Sequence, residues 1–149
     1  MVTFTLKRFD ELTLHELYAL LALRSEVFVV EQQCPYQDAD GKDAVAWHCL
    51  GTDETGKLVA YTRLFALNDS YEGYTSIGRV VTSPSARGGG LGRKLMETSI
   101  ALCHSLFGPE PIKIGAQQYL LAFYSSLGFE PTGHDYIEDG IPHTYMIYR

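Results

Sequence analysis

The segment Arg87-Gly88-Gly89-Gly90-Leu91-Gly92-Arg93 follows an apolar, strand-like run at 77–82 and opens a long amphipathic helical pattern. Glycines let the backbone turn tightly and leave its N–H groups uncovered. The start of a helix adds further unpaired N–H groups and the positive end of the helix dipole. The sequence therefore predicts a phosphate-binding loop at this junction between a strand and a helix.

Length, charge and cysteine content narrow the function classes. The 149 residues fit one domain over residues 1–149, and the net charge of −6 without a basic run argues against a nucleic-acid partner. No segment resembles a signal peptide or a membrane span, so we expect no membrane partner and a cytoplasmic location. The scattered Cys34, Cys49 and Cys103 predict neither a disulfide framework nor a metal site.

Hydrophobic periodicity predicts the element order β-α-β-β-β-α-β-α-β-β, which fits a mixed α/β (α+β) layered domain. The first helix begins with a capping box formed by Thr13 and Glu16, and it extends to about residue 30. The second and third helices are predicted over 89–107 and 117–127. The strands are predicted near 1–9, 46–52, 58–67, 74–82, 112–116, 132–137 and 144–148.

Three phosphate-binding motifs compete for the glycine loop. A Walker A loop needs a second glycine five residues after Gly88, where Arg93 stands, and the following Ser/Thr position is also unmatched. A Rossmann fingerprint fails at the same residue, and its strand would be expected to open the domain. The remaining pattern is Arg-x-x-Gly-x-Gly, formed by Arg87, Gly90 and Gly92.

This pattern resembles the acetyl-CoA loop of the GNAT N-acyltransferase superfamily. The run at 77–84 looks like the strand that leads into that loop, and Tyr124 ahead of Leu127-Gly128-Phe129 resembles the family's second signature. Residues 23–36 further resemble the ElaA-like branch of GNAT proteins. The resemblance implies a mostly antiparallel twisted sheet with a splayed strand pair, and an acetyl-CoA-dependent enzyme. The implied acceptor is an amine of a small molecule or a peptide.

The resemblance also assigns cofactor-binding positions. Backbone groups of Val80, Val81 and Thr82 match the strand against which the pantetheine arm pairs. Gln117 stands where many relatives have an asparagine, and its amide keeps the capacity to hydrogen-bond the cofactor. The positions that match the diphosphate-binding loop are Arg87, Gly88, Gly89, Gly90, Leu91, Gly92 and Arg93.

The resemblance assigns the general acid to one residue but leaves the general base without a matching residue. Tyr124 matches the family tyrosine near the CoA sulfur, so its predicted role is the general acid that protonates the departing thiolate. Many relatives carry a glutamate base on the strand before the loop, but this strand offers Arg79 instead. We therefore take Glu31 and His48 as the leading candidates for the base, with His143 as a third. The competing interpretations are a surface charge for Glu31 and a structural histidine for His48.

Arginines that interrupt apolar runs mark a second group of residues. Arg24, Arg63 and Arg79 each lie in such a run, and a charge placed there needs a partner. One interpretation pairs them with Glu26 or Glu31. The other assigns Arg79 to the carboxylate of an amino-acid-like acceptor.

The acceptor side is predicted to lie near the loop that follows the first helix. We expect Tyr36 and Arg79 to contact the substrate there. Strand alternation places Arg79 on the same face as Ile77 and Val81. The aspartates at 38, 40 and 43 in this loop are interpreted as a solvated turn, because they lack the spacing of a calcium site.

Two other functions remain open at this point. The missing strand carboxylate favours a non-catalytic module that binds or senses acyl-CoA. The glycine loop alone also fits a nucleotide-binding protein. The C-terminal strands are expected to leave a sheet edge, which makes a homodimer plausible.

Overall fold

A sheet of seven strands forms the centre of the computed structural model, which describes residues 1–149. The strands are β1 (Thr3–Arg8), β2 (Trp47–Thr52), β3 (Leu58–Phe65), β4 (Thr75–Thr82), β5 (Ile112–Gln117), β6 (Glu130–Glu138) and β7 (Ile141–Tyr148). The helices are α1 (Leu14–Arg24), α2 (Leu91–Phe107) and α3 (Leu121–Ser126). The spatial order is β1-β2-β3-β4-β5-β7-β6, and only β4 and β5 run parallel. The predicted element order and fold class are confirmed.

The first helix starts as predicted and ends differently. The Thr13 hydroxyl accepts a hydrogen bond from the Glu16 amide at 3.0 Å, and the Glu16 carboxylate accepts one from the Thr13 amide at 2.9 Å. Residues Ser25–Glu31 continue the chain as a π-helical segment rather than an α-helix. The run at 27–30 is β-branched or aromatic, and such side chains lose rotamer freedom against the preceding turn of an α-helix. None of the helices is long and apolar enough to cross a bilayer.

The two faces of the sheet carry separate parts of the core. Helix α1 and the π-helical segment cover one face, hereafter the α1 face, and α2 and α3 cover the other, the α2 face. The buried cluster on the α1 face contains Leu20, Leu23, Val27, Leu50, Tyr61 and Val81. The main cluster on the α2 face includes Leu64, Ile77, Met96, Ile114, Tyr124 and Met146.

A β-bulge interrupts β4 at Arg79. Val81 pairs with Tyr61 and Gly78 pairs with Arg63, so Arg79 and Val80 together lie opposite a single residue of β3. Arg79 has a φ of +48°, in the left-handed region. The extra residue shifts the alternation, and Ile77 packs on the α2 face while Val81 packs on the α1 face. The prediction that Ile77, Arg79 and Val81 share one face is therefore wrong.

The parallel strands β4 and β5 are splayed. They are paired only at Thr75 with Ile112 and at Ser76 with Lys113. Beyond those two pairs β4 remains bonded to β3 while β5 remains bonded to β7. The sheet therefore opens between Gly78 on β4 and Gly115 on β5, as the sequence resemblance implies.

The C-terminal elements differ from their predicted limits. Helix α3 begins at Leu121 because residues up to Gln117 still belong to β5, and Gln118–Leu120 form a 3₁₀ turn. Strands β6 and β7 are longer than predicted, and they meet at the predicted turn of Asp139 and Gly140. This turn brings the end of β6 and the start of β7 back to the opening in the sheet.

Candidate active site

A cavity of about 150 Å³ lies where β4 and β5 separate. Its walls come from these two strands, the segment after α1, the turn before α3, α3 itself and the β6–β7 turn. The lining residues that carry polar chemistry include Gln32, Cys34, Tyr36, Arg79, Gln117, Tyr124, Glu138 and His143. The structure thus brings Tyr124, Arg79, Tyr36, Val80 and Gln117 of the sequence-predicted site together at one cavity.

Residues from both faces of the sheet line the cavity. Tyr124 belongs to the buried cluster of the α2 face. Gln117 exchanges hydrogen bonds of 3.2 and 3.4 Å with Gln32, which follows the π-helical segment on the α1 face. His143 lies opposite Gln117 in the register of β5 and β7, so both occupy the α1 face.

Tyr124 reaches the cavity from α3. Its side chain is buried, with 6% of its surface exposed, and it packs edge-on against Phe123 and Phe129. Burial raises the pKa of the Tyr124 phenol above its ordinary value. A phenol in such a place keeps its proton at neutral pH and can give it to a basic thiolate.

The glycine loop forms an anion site at the start of α2. Gly88 has a φ of +99°, and Gly90, the N-cap residue, has a φ of +75°, so both occupy a backbone region that favours glycine. No side chain caps the helix. The amides of residues 87–90 donate to no backbone carbonyl, and the first turn of α2 adds its own unpaired N–H groups. This cluster of donors suits a diphosphate.

Arg87 and Glu31 form an ion pair with each other. Two hydrogen bonds of 2.7 Å join the guanidinium to the carboxylate, and Arg87 also donates to the Thr82 carbonyl at 3.2 Å. The hydrogen bond from Arg87 lowers the pKa of Glu31 despite a small opposing effect of burial. A carboxylate with a lowered pKa is a weaker base, and Glu31 is not among the residues lining the cavity. This geometry does not favour the predicted role of Glu31 as the base.

Arg93 connects the start of α2 to α3. Its guanidinium donates a hydrogen bond to the Ser126 hydroxyl, and that hydroxyl donates to the Phe123 carbonyl at 2.6 Å. The backbone of Arg93 belongs to the first turn of α2, whose amides face the glycine loop. The Arg93 side chain therefore fixes the relative position of two helices that border the α2 face of the cavity.

His48 occupies a structural position away from the cavity. It is fully buried in β2, and its Nδ1 lies 2.6 Å from the Tyr61 hydroxyl. Its Nε2 lies 2.9 Å from the Asp43 carbonyl oxygen, which only accepts, so Nε2 carries the proton. Burial lowers the pKa of His48. Because both ring nitrogens are engaged and no substrate path reaches them, the prediction of His48 as a catalytic base is not retained.

Arg24 and Arg63 find their partners in the loop after α1. The Arg24 side chain is fully buried, and it donates to Asp38 and Asp43 at 2.7 Å each. Arg63 donates to Asp43 at 3.0 Å and to Asp40 at 2.6 and 2.9 Å. The predicted pairing with Glu26 or Glu31 is wrong, and so is the prediction of a solvated aspartate turn. The loop folds inward because its carboxylates neutralise buried guanidinium groups.

Arg79 belongs to the same network and also lines the cavity. Its Nε lies 2.8 Å from Oδ1 of Asp38, and its Nη2 lies 3.4 Å from Oδ2 of Asp40. The Tyr36 ring lies 5.8 Å from the guanidinium, and the Tyr36 hydroxyl donates to Asp38 at 3.4 Å. Burial raises the pKa of Tyr36 to about 12. An acceptor carboxylate would have to compete with Asp38 for Arg79.

Sequence reasoning missed two lining residues and gave little weight to a third. Gln32 lies in the stretch at 23–36 but has no role assigned there, and Glu138 belongs to no motif. Only the folding of distant segments brings these two residues to the cavity. His143 lies in a strand whose alternation the sequence does show, but its partner strand could not be identified from spacing. The Cys34 thiol lines the same wall and donates to the Asp139 carbonyl at 3.0 Å.

Comparison with known sequences gives a consistent result. The model of the acetyltransferase (GNAT) domain family matches residues 18–149. Protein ElaA of Escherichia coli is 46% identical over 139 residues, which span 92% of this chain and 90% of ElaA. A UPF0039 protein of Synechocystis is 40% identical over 148 residues, which span 99% of this chain and 96% of that protein.

Solved structures show the same similarity. The crystal structure of an acyl-CoA N-acyltransferase from Pseudomonas aeruginosa aligns with a TM-score of 0.93 at 45% identity, with full coverage of both chains. The crystal structure of E. coli ElaA aligns with a TM-score of 0.91 at 41% identity, again with full coverage of both. The fold of this chain is thus the fold of these two relatives over its whole length.

Proposed function

Because the chain belongs to the GNAT acetyltransferase family, we propose that it transfers an acetyl group from acetyl-CoA to a primary amine by direct attack. The observation that carries this proposal is the cavity at the opening between β4 and β5, which residues of both sheet faces line. It offers one face to a thioester and the opposite face to an amine. The acceptor is a small molecule or a peptide.

The cofactor is held mainly by backbone groups. The diphosphate of acetyl-CoA accepts hydrogen bonds from the N–H groups of the glycine loop and the first turn of α2. The pantetheine arm pairs with Val80, Val81 and Thr82, whose strand has no β5 neighbour beyond Ser76. The Gln117 amide lies at the same opening, where it can hydrogen-bond the arm.

The reaction follows from the groups at the cavity. The amine nitrogen attacks the thioester carbon, and a backbone N–H of β4 polarises the carbonyl and stabilises the developing oxyanion. The C–N bond forms as the C–S bond breaks. Tyr124, whose phenol burial keeps protonated at neutral pH, gives its proton to the departing thiolate.

The charges around the opening favour a cationic amine. Glu138 and Asp139 line the cavity at the β6–β7 turn, while Arg79 is already paired with Asp38. The net charge of −6 adds a weak attraction for cations. A cytoplasmic location and a homodimer stay predictions; the second would use the edge strand β6.

The substitution Tyr124→Phe tests the general acid. We expect kcat to fall by about a hundredfold or more, because positioned acid catalysis contributes a factor of that order. The affinity for acetyl-CoA should change little, since the ring and its packing are kept. Steady-state release of the CoA thiol gives kcat, and calorimetry gives the affinity.

The matched control is Tyr18→Phe, at an exposed tyrosine on α1 far from the cavity. It should behave like the unmodified protein. An unchanged kcat in Tyr124→Phe would remove the general-acid role. A parallel loss of affinity would point to a packing defect.

A further inference from the structure

His143 lines the cavity, and one of its ring nitrogens, Nε2, makes no hydrogen bond. Its Nδ1 lies 2.7 Å from the carbonyl oxygen of Ile141. A carbonyl oxygen only accepts, so Nδ1 must carry a proton in either charge state of the ring. In the neutral imidazole the lone pair therefore belongs to Nε2. His48 differs, because both of its nitrogens are bonded within the core.

The position of His143 is held from several sides. Only 6% of the residue is exposed, and its ring stacks on that of Tyr136 at a centroid distance of 5.1 Å. Its backbone carbonyl accepts a hydrogen bond of 3.4 Å from Gln118. The Glu138 carboxylate lies 3.8 Å from Nε2, close enough to stabilise a positive charge on the ring.

His143 and Tyr124 lie on different faces of the sheet. His143 lies opposite Gln117 on the α1 face, whereas Tyr124 belongs to the cluster of the α2 face. Both residues line the cavity. A direct attack needs a proton acceptor beside the incoming amine and a proton donor beside the departing sulfur. The two side chains occupy opposite ends of such a path.

We propose that His143 is the general base that takes the proton from the acceptor amine. The inference rests on the proposed function. Nε2 takes a proton from the acceptor ammonium, and the freed nitrogen lone pair forms a bond to the acetyl carbon while the carbon–sulfur bond breaks. The thiolate takes the proton of Tyr124, and the new amide nitrogen releases its second proton to water. The products are the acetylated amine and CoA. Water then returns the proton from the imidazolium to the phenolate.

Other titratable groups face the same space and enter any pH profile. Glu138 on β6 lines the cavity, and Asp139 follows in the turn, while the Tyr136 ring of β6 stacks on His143 itself. The remaining titratable groups that line the cavity are Cys34, Tyr36, Arg79, Tyr119 and Tyr124. Arg79 is paired with Asp38, and burial raises the pKa values of Tyr36 and Tyr124, so none of these three competes as a base near neutral pH.

The substitution His143→Asn tests the proposal. The Asn amide N–H can still donate to the Ile141 carbonyl, but no base remains at the place of Nε2. With an alkylamine acceptor we expect kcat/KM to fall by about a hundredfold and its pH profile to change, because the base is removed. Calorimetry should give the unmodified affinity for acetyl-CoA. The control is His15→Asn, at an exposed histidine of α1.

A second acceptor separates catalysis from structure. Hydroxylamine is unprotonated at pH 8, so its attack needs less help from a base than that of an alkylamine. We expect the defect of His143→Asn to be at least tenfold smaller with hydroxylamine. If His143→Asn loses the same factor of kcat/KM with both acceptors, or keeps an unchanged pH profile with the alkylamine, the role of His143 is overturned. Acetyl transfer by the unmodified protein would not be affected by that result. If the unmodified protein releases no thiol with either acceptor, both proposals fail.

Discussion

At the scale of single residues, the partner of each charge decides its role. Glu31 and His48 both have side chains that can act as a base. Arg87 binds the Glu31 carboxylate, however, and the Tyr61 hydroxyl and the Asp43 carbonyl bind the His48 ring. Tyr124 could be identified from sequence because its motif fixes its place on a helix. The sequence offers His143 only as a third candidate for the base, because the hydrogen bond that orients its ring goes to the backbone carbonyl of Ile141, a group that every residue type has.

The pairing of Arg87 with Glu31 predicts the effect of removing that carboxylate. Both side chains are about 40% exposed, so their ion pair contributes no more than about 1 kcal/mol. In Glu31→Gln, Arg87 is free to contact the diphosphate of acetyl-CoA. The substitution also removes a negative charge that would repel that diphosphate. We expect the affinity for acetyl-CoA to rise up to about fivefold, as measured by calorimetry.

The matched control for this prediction is Glu26→Gln, at an exposed acid in the same π-helical segment with no ion pair. It should leave the affinity near that of the unmodified protein. A weaker affinity in Glu31→Gln than in Glu26→Gln would show that Glu31 holds Arg87 in place for the cofactor. In that case the ion pair would position Arg87 for the cofactor, and Glu31 would not compete with the diphosphate for Arg87.

At the scale of elements, the glycine loop depends on backbone conformation. Gly90 has a positive φ, whereas Gly89 does not, and neither would meet a neighbouring atom through an added Cβ. Gly90→Ala should therefore destabilise the fold by about 1–2 kcal/mol, and Gly89→Ala should not. We also expect the affinity for acetyl-CoA to fall in Gly90→Ala because the amides at the start of α2 are reoriented. Urea denaturation and calorimetry give the two quantities, and equal behaviour of the two variants would contradict this.

The loop after α1 depends on charge. Burial alone would raise the pKa of Asp43, but the hydrogen bonds and charges of Arg24 and Arg63 lower it, and Arg63 similarly lowers the pKa of Asp40. Asp43→Asn leaves two buried guanidinium groups short of a partner and should cost about 3–5 kcal/mol of unfolding free energy. The control is the exposed Asp69→Asn. A loss below about 1 kcal/mol in Asp43→Asn would contradict the assigned role.

The same carboxylates set the response to acid. Their pKa values are lower in the folded state than in the unfolded state, so their stabilisation is complete above the ordinary carboxylate pKa of about 4. It is lost as the pH falls from there through the folded-state values. Because burial also lowers the pKa of His48, urea denaturation should give a gradual loss of stability as the pH falls below about 6.5, followed by a steep decline below pH 4. Asp43→Asn should show a shallower decline.

The elements also show where sequence patterns stop being informative. Capping and hydrophobic spacing predict α1 and α2 because those signals are local. The bulge at Arg79 is set by the register of β4 against β3, and no local residue signal marks it. The aspartate loop looks like a solvated turn until the arginines of α1, β3 and β4 are placed beside it. Partners that are distant in the chain are therefore what single-sequence reasoning lacks.

At the scale of the whole molecule, the function rests on an opening in the middle of a sheet. Two neighbouring strands separate after two residue pairs, and the glycine loop, α3 and the β6–β7 turn all meet at the gap. The family implies the use of acyl-CoA, but the strand before the loop carries an arginine in place of an acidic base. The same architecture therefore also fits a module that binds acyl-CoA without turning it over.

Release of the CoA thiol from acetyl-CoA, followed in a panel of primary amines, tests acetyl transfer most directly. The panel includes alkylamines, polyamines, amino acids and peptide N-termini, with a reaction lacking amine as the blank. We predict thiol release that depends on the amine, with cationic amines favoured over zwitterions and an acetylated product that mass spectrometry detects. Calorimetric binding of acetyl-CoA with no thiol release above the blank for any amine would contradict the account.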